Sequence, residues 1–271
     1  MTEILIVAPI LLMLILAFLT IQFSLLIPSR RGLPVLMYHK ISESGADGLT
    51  VTTRQFEQQL QYLKQQGYQS IGFKKLKSLV NDGMPLPRKS IILTFDDAYR
   101  NFLELALPLL KKYQFSATVF VPVAYIGKTN IWDNGGEAIM NDQELKRLAL
   151  NDEIEVGLHS FLHRSFGDMT PAEIRDDLES CSKTLRFHGI PFVKTLAYPY
   201  GGYPKKDAVR KAEMISVFKN FKLDFALRIG NRINPWTIRQ PFEIKRIDIK
   251  GTDSFFIFRT KVRKGRAKLF A

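Results

Sequence analysis

The chain has 271 residues, of which 46% are hydrophobic and 24% charged, a composition that can bury a substantial core and excludes a disordered acidic or basic polymer. Its formal net charge of +13 raises three partner classes: nucleic acid, an anionic membrane surface and an acidic glycan. The one cysteine, Cys181, excludes an internal disulfide and a cysteine-based zinc cluster, and reads as a small apolar side chain on a helix.

From Ile4 to Ser29 there is no Asp, Glu, Lys, Arg or His. As a helix, Ile4 to Ile27 would reach roughly 36 Å, enough to cross the hydrocarbon core of a bilayer. The run is too long for the apolar part of a signal peptide, and no small-residue cleavage site follows it. Residues 1–30 are therefore expected to be a single transmembrane anchor, and residues 31–271 a folded domain with a basic tail. Arg30, Arg31 and Lys40 follow the apolar run and Glu3 precedes it, so local charge alone puts the domain in the cytoplasm.

After Pro34, short apolar runs that read as buried strands alternate with longer amphipathic runs that read as helices. The strand candidates are Val35 to Tyr38, Tyr68 to Phe73, Ile91 to Phe95, Ala117 to Val121, Ile154 to Leu158, Val193 to Tyr198, Leu223 to Ile229 and Ile244 to Ile249. Thr53 opens a helix that runs to Gln66 and stops at Gly67, and Thr170-Pro171 opens another that stops near Gly189. Such alternation makes a parallel α/β fold, and seven or eight units favour a closed barrel over an open sheet. Gly127 to Met140 reads as a long loop over one barrel end. In the tail, Arg259 to Lys268 is interleaved with Phe255, Phe256 and Phe258 and followed by Leu269 and Phe270. That arrangement suits a lipid headgroup surface better than a nucleic-acid groove, so no nucleic-acid partner is expected; a solvated helix face reads equally well.

Three clusters stand at the C-terminal ends of predicted strands, where barrel enzymes place their reactive groups. Asp96 and Asp97 follow Ile91 to Phe95; two adjacent carboxylates at a buried strand end repel unless they share a cation or a proton. His159 and His163 follow Ile154 to Leu158, and an i, i+4 pair on one face of a helical turn could bring both imidazoles to one ion. Two nitrogens and one carboxylate suit catalytic zinc, and equally a non-haem iron oxygenase. Tyr198-Pro199-Tyr200-Gly201-Gly202 follows Val193 to Ala197, with turn chemistry that could aim a backbone N–H into the cavity.

In this order the clusters resemble the polysaccharide deacetylase family, also called NodB-homology proteins or carbohydrate esterase family four, over most of the chain after Gly32. The resemblance implies an irregular (β/α) barrel of about seven strands, and a hydrolase that removes N-acetyl groups from the amino sugars of a polysaccharide or lipid-linked glycan. It implies a divalent metal, usually zinc and sometimes cobalt or nickel, held by Asp97, His159 and His163. It also implies Asp96 as general base and the N–H of Tyr200 as oxyanion donor. Several positions depart from the family pattern: Ala98 stands where glycine is usual, Arg164 where proline is, and Ala197 where many members carry an arginine that orients the base, a task that could fall to Arg246. No histidine follows Pro199 to serve as the late general acid. His39, at the end of the first predicted strand, would reach the same rim and has a suitable intrinsic pKa. A Tyr-His pair near the start is similar to the poly-N-acetylglucosamine deacetylase branch, so His39 is expected to be the acid. The family resemblance points to an extracytoplasmic domain, against the local charge, and we take the outer side as the expectation. A sugar-binding protein without activity stands as a further alternative.

Overall fold

The computed structural model describes residues 9–18, 31–133 and 136–267. Residues 9–18 form helix α1, with every side chain exposed, and the rest of the expected Ile4–Ile27 span lies outside the described residues. Among the described residues no helix is long and apolar enough to cross a membrane.

From residue 31 the chain runs β1 (Val35–Tyr38), β2 (Lys40–Ser42), β3 (Thr50–Thr52), α2 (Thr53–Gln65), β4 (Gln69–Ser70), α3 (Phe73–Asn81), β5 (Ser90–Phe95) and α4 (Leu107–Tyr113). It continues through β6 (Ala117–Val121), α5 (Asp142–Ala149), β7 (Ile154–Leu158), α6 (Pro171–Phe187), β8 (Thr195–Ala197), α7 (Ala208–Phe221), β9 (Phe225–Ile229), β10 (Ile244–Asp248) and α8 (Phe255–Lys264). Strands β5 to β10 lie side by side in chain order, and β1 closes the ring by pairing in parallel with both β10 and β5. The result is the expected closed parallel barrel. Its strands are covered on both faces, which is why they read as continuous apolar runs rather than as an alternation. Inward side chains such as Val35, Ile92, Phe120, Leu227 and Ile244 form one buried cluster, while Leu36, Leu93, Val119, Val156 and Leu196 pack beneath the helices.

Helices α2 and α6 begin at capping boxes, Thr52 with Gln55 and Thr170 with Glu173, so the cap of α2 is Thr52 rather than Thr53. The short parallel pair β2 and β3 had no counterpart among the predicted strands, being too brief for a periodic signal. The expected strand over Tyr68 to Phe73 is likewise only Gln69–Ser70, paired with the start of β5. Phe73 instead opens α3, because the Glu155 carboxylate on β7 accepts hydrogen bonds from the Phe73 and Lys74 N–H groups at 2.6 and 2.9 Å. Gly72 precedes the helix without a capping side chain of its own, and a Cβ there would strike the Glu155 carboxylate. The Phe73 ring meets Phe120 and Phe225 and closes the barrel floor.

In the tail, Phe258 and Val262 of α8 are buried and Phe255 and Phe258 meet Tyr62 of α2 edge-on, so these apolar positions are occupied in packing against the barrel's shell. Lys261 bonds the Asp248 carbonyl and Asp253.

Glu155 also accepts from the Thr118 hydroxyl at 3.2 Å, and its removal would leave buried donors without an acceptor. Glu155→Ala is expected to lower the unfolding free energy by about 1–3 kcal/mol, read as a lower urea midpoint; an unchanged midpoint would refute this account of the barrel floor.

Candidate active site

The site occupies the barrel's C-terminal rim. Asp96 and Asp97 leave β5, His39 leaves β1, His159 leaves β7 and Tyr198 leaves β8. In an extended strand neighbouring side chains point to opposite faces. Asp97 (φ 70°) and Ala98 (φ 53°) break that alternation by entering the left-handed region, which lets both aspartates serve the same cavity. A glycine at position 98 would adopt this conformation freely; Ala98 holds it at a strain of order 1 kcal/mol.

Asp96 is 2% exposed, and the guanidinium of Arg246 on β10 grips it at both oxygens, at 2.5 and 2.7 Å. Burial pushes the Asp96 carboxyl up, but Arg246, with His159 and His39, outweighs it and holds the group below the ordinary carboxylate range. Arg246 is itself 1% exposed and lies over the Phe120 ring. It stands inside the barrel, with the small Ala197 on β8, where the family pattern has the larger side chain, contributing to the same interior.

Asp97, His159 and His163 are buried, and one ligand atom from each lies within 4.8 Å of the others. Their approach is not through a helical turn, as the i, i+4 spacing led us to expect. Residues 159–163 form an irregular loop, with Ser160 (φ 65°) and His163 (φ 54°) in the left-handed region. The Nε2 atoms of His159 and His163 stand 3.4 and 3.2 Å from the same oxygen, Asp97 Oδ1. His159 Nδ1 lies 2.8 Å from the Ala197 carbonyl, which can only accept, so Nδ1 carries the proton and Nε2 presents its lone pair. Burial holds the His159 pKa down to about 4, against the pull of the two aspartates. A lone pair therefore faces a buried carboxylate oxygen that has no hydrogen-bond partner of its own. A cation between these atoms would resolve that conflict, and two imidazoles with one carboxylate are a fitting donor set for zinc. His163 Nδ1 is 3.0 Å from the Tyr200 hydroxyl. Tyr200 (φ 57°) thus brings its side chain to the His163 imidazole, a contact that the backbone expectation did not include.

His39 reaches the same rim, with Nε2 3.9 Å from Asp96 Oδ2 and a buried Nδ1 that has no partner. His188 is elsewhere, at the end of α6, where it pairs with Asp142. The loop read over Gly127 to Met140 supplies residues that carried no motif: Trp132 stacks on the His163 ring at 4.1 Å, and Asp133 meets Lys40 at 3.1 Å and the Tyr99 hydroxyl at 3.2 Å.

Fold and site together define a parallel β/α barrel whose rim carries three residues that could hold a divalent cation, beside a separately neutralised carboxylate. Residues 83–215, just under half of the chain, match the family model described as polysaccharide deacetylase. It is 28% identical to YxkH of Bacillus subtilis over 183 residues, which make up 67% of this chain and 61% of that protein. It is also 28% identical to the poly-beta-1,6-N-acetyl-D-glucosamine N-deacetylase of Staphylococcus aureus over 173 residues, 61% of this chain and 58% of the relative. The match thus spans about three fifths of the length of these curated relatives. Among solved structures, the Streptococcus pyogenes deacetylase PplD superposes with a TM-score of 0.69 at 20% identity, covering 86% of this chain and 99% of that one, a likeness of fold.

If the three residues hold one ion, His159→Ala, His163→Ala and Asp97→Asn each lower the metal content of the folded protein, measured by elemental analysis after dialysis, while Asp96→Asn leaves it near one equivalent. Full occupancy in His159→Ala would overturn the three-residue site, and loss in Asp96→Asn would reverse the assignment of the two aspartates.

Proposed function

We propose that the chain is a metal-dependent N-deacetylase that acts on the N-acetylated amino sugars of a polysaccharide or lipid-linked glycan. The metal is a divalent ion, with zinc ahead of cobalt or nickel. The observation that carries this reading is the convergence of two Nε2 atoms on the unpartnered Oδ1 of Asp97, next to an Asp96 held by its own guanidinium. The match to the family model favours hydrolysis over the iron-oxygenase chemistry that the same donors could support. The named activity of the Staphylococcus aureus relative supports poly-N-acetylglucosamine as a substrate class.

The reaction is difficult because an amide carbonyl is a poor electrophile and an unprotonated amine a poor leaving group. Asp97, His159 and His163 would hold a divalent cation, and the chemistry it would supply there is that of a Lewis acid, polarising a carbonyl and lowering the pKa of water. Asp96, ionised and oriented by Arg246, takes a proton from the attacking water. The Tyr200 N–H donates to the carbonyl oxygen as charge develops on it. His39 delivers a proton to the departing sugar amine, so that acetate and a free amino sugar leave. Trp132 and Tyr200 flank the His163 ring and shield this side of the cavity from water.

Acetate release from N-acetylglucosamine oligomers by the full chain in detergent, with and without chelator, tests the reading; activity that survives complete metal removal would overturn it. In the same assay Asp96→Asn is expected to lose roughly 10²- to 10⁴-fold in turnover with its metal retained, and His39→Ala to lose turnover most on substrates with the poorest amine leaving group. Arg246→Met leaves burial of Asp96 opposed only by the imidazoles, so its pKa rises and the acidic limb of the rate profile moves to higher pH. A limb that stays in place would detach Asp96 from the base role.

We also assign residues 1–30 to a membrane anchor and the barrel to the extracytoplasmic side. The uncharged run from Ile4 to Ser29 and the exposed apolar side chains of α1 support the anchor, and the family resemblance supports the side. Protease digestion of the domain in intact spheroplasts reads its location, and full protection would place it inside.

A further inference from the structure

The loop that carries both histidine ligands is held from two directions. On one side its backbone is tied to the end of β6, where the Val123 and Ala124 N–H groups donate to the Ser160 and Phe161 carbonyls at 3.2 and 2.9 Å. On the other side stands Asp177, in the middle of α6 and 8% exposed. One of its carboxylate oxygens accepts from the Ser160 hydroxyl at 2.7 Å and from the Phe161 N–H at 2.8 Å. The Ser160 oxygen in turn accepts from the Arg164 N–H at 3.2 Å, so a single carboxylate organises the chain on both sides of His163.

This tie bears unequally on the two ligands. His159 is fixed independently, because its backbone N–H donates to Val121 O at 3.0 Å and its ring Nδ1–H to Ala197 O at 2.8 Å. Among the described residues His163 has no comparable backbone anchor for its ring; it sits in the left-handed region, after the half-exposed Leu162, and its Nδ1 meets the hydroxyl of the exposed Tyr200. The left-handed conformations at Ser160 and His163 each cost of order 1 kcal/mol and persist only where surrounding contacts enforce them.

We propose that Asp177 is a positioning residue for the metal site: through Ser160 and the Phe161 N–H it sets the loop conformation that aims His163 Nε2 at the ion. The inference rests on the metal reading given above. It requires that Asp177 act on metal affinity in the folded protein, beyond any effect on stability, with His163 as the ligand that is lost.

The test is cobalt titration of the metal-depleted full chain in detergent, followed by absorption in the visible region. Asp177→Ala is expected to weaken binding roughly 10- to 100-fold and to change the ligand-field spectrum towards that of His163→Ala. Asp177→Asn keeps an oxygen that can accept both hydrogen bonds, and should recover most of the affinity. Ser160→Ala, which keeps the Phe161 bond, should fall between wild type and Asp177→Ala, and serves with Asp177→Asn if the alanine variant at 177 fails to fold. Glu155→Ala is the control, a buried carboxylate removed from the barrel floor, and should lower stability without moving the cobalt affinity. Equal affinity in wild type and Asp177→Ala, or an equal loss in Glu155→Ala, overturns the positioning role. A wild-type chain that takes up no cobalt overturns the metal reading itself, and this inference with it.

Discussion

Two adjacent carboxylates are buried at the end of β5, and neither can remain ionised there without positive charge close by. Withdrawing an ion from water costs several kcal/mol even after the protein relaxes, and like charges side by side add to it. The barrel answers the two cases differently. Asp96 receives a fixed, always-charged guanidinium with two-point geometry, so its ionisation is settled by the fold alone. Asp97 receives two imidazoles, and burial keeps His159 neutral. That difference settles the charge of Asp96 within the fold and leaves Asp97 fitted to an external cation.

The arginine also shows how a barrel interior conserves a function while moving its source. Layers of side chains fill such a barrel, so a long side chain can enter from one strand only where its neighbours are small. Ala197 on β8 and Gly157 on β7 are small; a Cβ at Gly157 would collide with the Phe120 ring, over which the Arg246 guanidinium lies. The guanidinium therefore arrives from β10, two strands along the ring from the position that the family pattern uses, with β9 between them.

Seven of the eight strand candidates were legible because buried parallel strands are continuous apolar runs with helices between them. The eighth, Tyr68 to Phe73, is apolar at Tyr68, Ile71 and Phe73, but a carboxylate from β7 recruits its last N–H for a helix, and no local pattern reveals that tertiary contact. At the site, Asp96, Asp97, His159, His163 and Tyr200 were legible as residue types at strand ends. The geometry that unites them was not: the histidines meet through left-handed turns that spacing alone does not encode. Trp132 and Asp133 lay in a loop recognisable only as a loop, and Asp177 is one acidic residue among several on an amphipathic helix. Each acts through a distant partner, which is the class of information that a single sequence carries least.

The floor that α3 makes beneath the barrel has a consequence for traffic. Phe73, Phe120 and Phe225 seal the lower end, with Ile92 and Leu227 packed in the same cluster, so Asp96 and Asp97 can be approached only from the rim. Under the reaction proposed above, acetate and the glycan would then share one way out, and the larger product would have to shift before the smaller could leave.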